Sequence, residues 1–254
     1  TSMTSGSLDD YSYVFVLTYG RSGSTILMRL LNTIDGADIR GENSNALFHL
    51  YKAIAAVRRS STRFGTTKRA TSDPWYGADL MAAKSFEANC LNSFLHDVLV
   101  PGPTPRIIGF KEINHLPNRM NDKDFFGFVD FILKSFPNAR IVFNTRNAEQ
   151  VSRSGWFADM DPTYVKEQIA GADARFAQAT KQHSRCFLID YSDVVANDDA
   201  LMALFDWLDM PLDPETVANC LDQKLSHMSK KEIGLSGSLR ETMRRARSRL
   251  KKLR

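Results

Sequence analysis

The sequence predicts an α/β fold in which helices flank a central parallel sheet. Short runs rich in β-branched and aromatic residues alternate with longer segments whose apolar residues recur at helical spacing. Strands that alternate with helices in this way pair in parallel, and the connecting helices cover both faces of the sheet. The chain has 254 residues, of which 43% are hydrophobic and 24% charged, which suits one globular domain with room for a helical lid.

The elements follow one another in a regular order. The predicted strands are residues 13–19, 106–111, 140–145 and 186–191. The predicted helices are residues 26–32, 45–59, 78–100, 124–136, a segment from 148, 162–182 and 198–208, with a turn and short helix over 211–225. Residues 33–38 read as a turn-rich connection between the first helix and the second.

The first strand and the first helix are joined by a turn that can bind phosphate. Its residues are Gly20, Arg21, Ser22, Gly23, Ser24 and Thr25. Backbone N–H groups in such a turn point inward, the helix N-terminus adds partial positive charge, and Arg21 adds a full one. The turn differs from the loop of P-loop NTPases, because only two residues separate its glycines and Ser24 follows where a lysine is required. A P-loop-like phosphate loop is therefore predicted, and a kinase-like phosphotransferase stays open as an alternative.

Two further basic residues end predicted strands. Lys111 closes the second strand, and Arg146 directly follows the third. Ligands of parallel α/β sheets bind outside the carboxyl ends of the strands. We therefore expect Arg21, Lys111 and Arg146 to converge on one edge of the sheet.

The phosphate loop resembles the 5′-phosphosulfate loop of sulfotransferases, whose pattern [KR]-S-G-[ST]-[ST] is matched at every position from Arg21 to Thr25. With residues 26–31 and 40–42, it is most similar to the protein-tyrosine and bacterial carbohydrate branches. The resemblance implies that Arg21, Ser22, Gly23, Ser24 and Thr25 hold the 5′-phosphate of 3′-phosphoadenosine 5′-phosphosulfate.

Later segments resemble the same family. Arg146 and Ser154 match the arginine and serine that hold the 3′-phosphate, with Ser152 as the alternative if the register slips. Residues 189–195 are similar to a family segment that follows a strand and precedes a helix, although Ser192 replaces its usual glutamate. The resemblance implies that Tyr191 belongs to the cofactor site. The cytosolic branch stacks adenine on a tryptophan where this chain has Ile26. Either Trp156 or Phe157 is left as the residue that stacks on adenine. Lys230 and Lys231 correspond weakly to the C-terminal basic stretch with which the cytosolic branch also holds the 3′-phosphate.

The resemblance also implies the chemistry. A sulfotransferase moves a sulfuryl group by in-line displacement to a hydroxyl or amine, here of a carbohydrate or small-molecule acceptor, and needs no metal. Glu42 matches the general base, Lys111 matches the lysine that contacts the transferred group, and Arg21 supports the leaving side. Glu112 and His115 are rivals for the base. Ile113 stands where the cytosolic branch has its catalytic histidine, and this favours Glu42.

The boundaries and surroundings of the domain are also predicted. One sulfotransferase-like domain spans residues 11–235, in which the basic and aromatic segment 58–79 is either a solvated loop or a mobile lid over the acceptor. A basic helix or tail follows over 236–254. Its last fifteen residues carry a net charge of +7. Because the whole chain has a net charge of only +4, the remaining residues carry −3, and nucleic-acid binding by that larger part is not expected.

The cysteine content and hydropathy favour a cytoplasmic enzyme. Three widely spaced cysteines indicate a reducing compartment, there is no 18-residue apolar run, and residues 1–10 lack the apolar region of a signal peptide. The acceptor and the oligomeric state stay open. A non-catalytic nucleotide-binding protein is a further alternative.

Overall fold

The computed structural model describes residues 7–196, 199–210, 213, 215 and 217–220. Its centre is a five-stranded sheet in the order β2-β3-β1-β4-β5, and every pairing is parallel. The strands are β1 (Ser12–Leu17), β2 (Ala37–Arg40), β3 (Ile107–Glu112), β4 (Ala139–Thr145) and β5 (Cys186–Asp190). The predicted α/β class is confirmed.

The helices connect the strands and lie on both faces of the sheet. They are α1 (Ser24–Leu31), α2 (Ala46–Phe64), α3 (Ala83–Ser93), α4 (Asp122–Ser135), α5 (Ala148–Ser152), α6 (Pro162–Gln182), α7 (Tyr191–Ala196) and α8 (Asp199–Trp207). Helix α6 has the predicted bounds because Asp161 caps its N-terminus by accepting from the Tyr164 N–H, and Pro162 suits its first turn.

One strand was not predicted. The turn-rich reading of residues 33–38 is wrong at its end, because Ala37–Arg40 forms β2 and pairs with Ile107–Phe110 of β3. Within this edge strand only Ile39 is buried, so the four residues carry almost no apolar pattern. The backbone hydrogen bonds to β3 impose the strand, and such long-range pairing leaves little trace in local sequence.

Two predicted elements differ in detail. The predicted helix 78–100 divides into a 3₁₀ turn (Ala78–Leu80), α3 and a π-helical segment (Phe94–Leu99), which places Phe94, Leu95 and Leu99 in the core. The predicted strand 186–191, which is β5 of the structure, ends one residue earlier at Asp190, and α7 begins directly at Tyr191.

The core consists of two apolar layers, one on each face of the sheet. Alternate residues of β1 point to opposite faces, so that Tyr13, Phe15 and Leu17 pack with α2, α4 and α6, whereas Val14 and Val16 pack with α1, α7 and α8. Each fully buried side chain of this size contributes about 1.5–3 kcal/mol of transfer free energy. These layers fix the strand ends, from which the loops of the site emerge.

The segment predicted as a loop over 58–79 begins inside a helix, because α2 continues to Phe64. Beyond it, the Arg69 guanidinium donates to the Phe64 carbonyl and pairs with Asp73, and the Phe64 and Trp75 rings stack with centroids 3.7 Å apart. A closing motion over the acceptor stays a prediction. The basic tail 236–254 and the Lys230–Lys231 pair lie outside the described residues.

Candidate functional site

The phosphate loop closes tightly at the carboxyl end of β1. Arg21 and Gly23 adopt left-handed backbone conformations with φ of 65° and 85°. Glycine is required at position 23, because a Cβ there would lie 2.2 Å from the Tyr191 ring. Among the described residues, the buried Ser22 Oγ has no hydrogen-bond partner. The loop therefore offers backbone N–H groups, an unused hydroxyl and the N-terminus of α1 to an anion.

Arg146 follows β4 and reaches across to this loop. Its Nη1 donates to the Arg21 carbonyl oxygen at 3.0 Å, its Nε donates to Gln150 Oε1 at 3.3 Å, and its guanidinium lies 4.3 Å from the centroid of the Tyr191 ring. Within the part of the chain that the structure describes, no carboxylate neutralises this partly buried arginine. An arginine fork without a carboxylate is suited to phosphate oxygens.

The two candidate serines occupy different environments. Ser154 Oγ accepts a hydrogen bond from Arg21 Nε at 2.9 Å, so it lies at the loop. Ser152 is buried, and its hydroxyl donates to the Glu149 carbonyl within the same helix. Helix α5 ends at Ser152, so Ser154 lies just beyond the helix that was predicted to start at residue 148.

On the other side of the loop, the structure brings Glu42 and Lys111 together. Lys111 is 5% exposed on β3, and its Nζ forms an ion pair with Glu42 Oε1. The Glu42 side chain is 43% exposed, so a solvent-borne molecule can reach this carboxylate. An ammonium has three donors, which leaves Lys111 with further N–H groups beside the one shared with Glu42.

The two rivals for the base are enclosed in the protein. Glu112 is fully buried, and its carboxylate accepts from four donors: the N–H groups of Asn43, Asn45 and Ile113, and Asn114 Nδ2. His115 is also fully buried, with Nδ1 3.1 Å from the Thr18 carbonyl oxygen, and burial lowers its pKa to about 4. Of the three candidate bases, Glu42 alone reaches the surface.

The two candidate aromatic platforms also separate by exposure. Phe157 belongs to the core, whereas Trp156 is 53% exposed. The indole lies against the phosphate loop at Gly20, where an added Cβ would approach Trp156 Cζ2 to 2.3 Å. Trp156 is thus the accessible aromatic residue of the pair.

A supporting network behind the loop was not found from sequence. The Tyr19 hydroxyl accepts from the Arg146 N–H at 2.9 Å and lies 2.9 Å from Asp173 Oδ1. Burial raises the pKa of the Asp173 carboxyl to about 6, and the nearby Asp190 adds to the shift. Tyr19 and Asp173 are 154 positions apart, and a single aspartate within α6 gives no local sign of this contact.

Among the described residues, no group of three or more His, Cys, Asp or Glu is arranged to hold a metal ion. The same part of the chain contains no helix with the length and apolar character needed to cross a bilayer.

Comparisons with known proteins address the family. The profile described as the sulfotransferase family matches residues 13–214, which is more than half of the chain. A comparison with curated proteins gives no significant match. Among solved structures, a sulfotransferase from Mycobacterium avium is similar at 14% identity and a TM-score of 0.45, over 87% of this chain and 69% of that one. On the strength of the profile match, which includes the phosphate loop, Glu42, Lys111 and Arg146, the chain belongs to the sulfotransferase family.

Proposed function

We propose that this protein transfers a sulfuryl group from 3′-phosphoadenosine 5′-phosphosulfate to a hydroxyl or amine of a carbohydrate or small-molecule acceptor. The phosphate loop from Arg21 to Thr25 binds the 5′-phosphate end of the donor. Arg146 and Ser154 bind its 3′-phosphate. The Tyr191 ring packs against Gly23 of the loop and against the Arg146 guanidinium, and thereby supports both phosphate positions.

The residues of the site fit this donor. The buried Ser22 hydroxyl has no partner among the described residues, and Arg146 faces neutral oxygens and a ring in place of a carboxylate. Both groups have unused capacity for an anion: Ser22 belongs to the phosphate loop, and Arg146 contacts that loop at the Arg21 carbonyl. One anion position in the loop and a second at Arg146 would suit a nucleotide that carries a phosphate at each of its 5′ and 3′ positions.

In the proposed reaction, the oxygen or nitrogen of the acceptor forms a bond to sulfur, and Glu42 accepts the proton that this oxygen or nitrogen loses. The bond from sulfur to the bridging oxygen of the donor breaks, and the electron pair stays on the departing 5′-phosphate. Lys111 and Arg21 stabilise the charge that develops there, as positioned cations do in phosphoryl transfer. Glu42 is suited to the role of base because its carboxylate is reachable and oriented by Lys111.

One observation carries the proposal most strongly: the Glu42–Lys111 ion pair lies at the end of β3 and Arg146 follows β4, and these two strands lie on either side of β1, which leads into the phosphate loop. The ion pair supplies a base next to a cation, and Arg146 supplies a cation aimed at phosphate. A nucleotide held between them would direct its 5′ end toward Glu42.

Titration calorimetry with 3′-phosphoadenosine 5′-phosphate and with ATP, each with and without Mg²⁺, tests the donor. We expect the bisphosphate to bind far more tightly than ATP and without Mg²⁺. Equal or tighter binding of ATP that requires Mg²⁺ would instead favour the kinase-like alternative. Bisphosphate binding without transfer to any acceptor of a broad panel would favour a non-catalytic nucleotide-binding protein.

A further inference from the structure

The loop that presents Glu42 contains an unusual bend. Ser44 and Asn45 follow one another with φ of 57° and 61°, and neither is a glycine. A left-handed conformation is costly for ordinary side chains, and two in succession persist only where surrounding contacts hold them. The bend lies between Glu42 and the first turn of α2, so its shape determines where the Glu42 carboxylate points.

A buried carboxylate holds this bend. Glu112 Oε2 accepts from the Asn45 N–H at 2.7 Å and from the Asn43 N–H at 3.3 Å. Glu112 Oε1 accepts from its neighbour Ile113 at 2.8 Å and from Asn114 Nδ2 at 2.9 Å. A carboxylate has about four lone-pair sites, so these four donors use its full capacity.

Glu112 also lies next to the residues that anchor the rest of the site. Its own carbonyl accepts from the Thr18 N–H at 2.9 Å, and Asn114 forms a bridge with Tyr19 just before the phosphate loop. Lys111 precedes it in β3 and faces the opposite side of the strand, where it pairs with Glu42. The glutamate therefore connects the bend, the lysine and the start of the phosphate loop.

We propose that Glu112 is a positioning residue, which fixes the 43–45 bend through its backbone N–H groups and thereby sets Glu42 against Lys111. This inference rests on the proposed function for the role of Glu42, but the contact between Glu112 and the bend does not depend on it. Glu112 itself exchanges no proton with the acceptor, because it is enclosed and its lone pairs are occupied.

The substitution Glu112→Gln tests the proposal, because an amide keeps the shape but has one acceptor oxygen and adds two donors. Whichever way the amide turns, its NH₂ group faces backbone N–H donors, at the bend or at Ile113. We expect hydrogen exchange at the amides of residues 43 and 45 to be at least about tenfold faster in the free variant than in the wild type, because local opening becomes easier. Glu167→Gln, an exposed change on α6, is the matched control and should leave both amides unchanged.

Activity gives the second readout. A displacement of about 1 Å in a catalytic group can cost about 10²-fold in rate, so we expect turnover of Glu112→Gln to fall by roughly 10- to 100-fold with the best acceptor of a panel. Affinity for 3′-phosphoadenosine 5′-phosphate should stay within a factor of a few. The acidic limb of the pH–rate profile should persist in Glu112→Gln and disappear in Glu42→Gln, since only the latter removes the base.

The outcomes separate this inference from the proposed function. Unchanged exchange at residues 43 and 45 would overturn the positioning role, and so would loss of the acidic limb in Glu112→Gln, which would make Glu112 the base. If exchange at residues 43 and 45 is faster in Glu112→Gln but the wild type transfers a sulfuryl group to no acceptor, the contact is upheld and the transferase proposal is refuted. If Glu112→Gln does not fold, Asn114→Ala decides, because it removes one donor to the same carboxylate and should produce a smaller loss of protection at the same two amides.

Discussion

Removal of Arg146 should separate recognition of the 3′-phosphate from every other part of nucleotide binding. In the structure, its guanidinium is held by the Arg21 carbonyl and Gln150 and faces no carboxylate among the described residues. A phosphate would therefore not have to displace a carboxylate of the described residues from this guanidinium. Arg146→Ala should remove a charge-assisted hydrogen bond to phosphate, which contributes roughly 1.5–3 kcal/mol.

This free energy corresponds to about a 10- to 150-fold weaker affinity, since each 1.4 kcal/mol is a factor of ten. The assay is calorimetry with 3′-phosphoadenosine 5′-phosphate and, in parallel, with adenosine 5′-phosphate, which lacks the 3′-phosphate. Only the first ligand should lose affinity in Arg146→Ala. Because the 3′-phosphate is charged before, during and after transfer, the donor KM should rise while kcat stays near the wild-type value.

Two variants make this test sharper. Arg153→Ala removes an arginine that is 75% exposed and paired with Glu149 in the same segment, so it should leave both affinities unchanged. Arg146→Lys keeps the charge but loses the planar fork, and should have an intermediate effect. Equal weakening of both nucleotides by Arg146→Ala would refute the reasoning, because it would show that Arg146 acts by holding the loop at Arg21.

Four further predictions concern other parts of the chain. Glu42→Gln should keep nucleotide affinity but lower turnover by about 10²–10⁴-fold and remove the acidic limb of the pH–rate profile, and near-normal turnover would contradict its role as base. Trp156→Ala should weaken bisphosphate binding by about 1–3 kcal/mol if the indole stacks on adenine, with Trp156→Phe as control; an unchanged affinity with a raised acceptor KM would assign the indole to the acceptor. The pKa of Asp173 is about 6 in the folded protein against an ordinary value of 3.8, so its contribution to stability is largest below about pH 4 and is lost as the pH rises through 6. Thermal unfolding of Asp173→Asn should lack this component, and parallel pH profiles for variant and wild type would contradict it. Deletion of residues 240–254 should leave bisphosphate affinity within a factor of a few, whereas a collapse of binding would show that the tail helps to form the 3′-phosphate site.

The fold was largely accessible from sequence because most of its elements carry strong local patterns. The β1 segment is a continuous apolar run, and α6 has both an aspartate cap and a proline in its first turn. By contrast, β2 has one buried residue in four and depends on hydrogen bonds to β3. Its pairing is set by the completed sheet, and no window of neighbouring residues contains that information.

The candidate site divides in the same way. The phosphate loop was recognised because its residues are consecutive. The exposures of Glu42, Glu112 and His115 were not predictable, because glutamate and histidine occur both at surfaces and in buried hydrogen-bond networks. Only the structure distinguishes an exposed carboxylate next to Lys111 from a buried one with four donors. Burial depends on which segments pack together, and this is not a property of the residue itself.

The sequence by itself determined most of the alternation of strands and helices, the glycine- and serine-rich turn between β1 and α1, and the cations at the strand ends, because periodicity and turn chemistry depend on neighbours in the chain. The tertiary structure decided which of these residues meet. Glu42 reaches Lys111 across 69 positions because β2 pairs with β3, and Arg146 reaches Arg21 across 125 positions because β4 pairs with β1. The strand order follows from the burial of two apolar layers and the pairing of whole strands, which are properties of the complete domain.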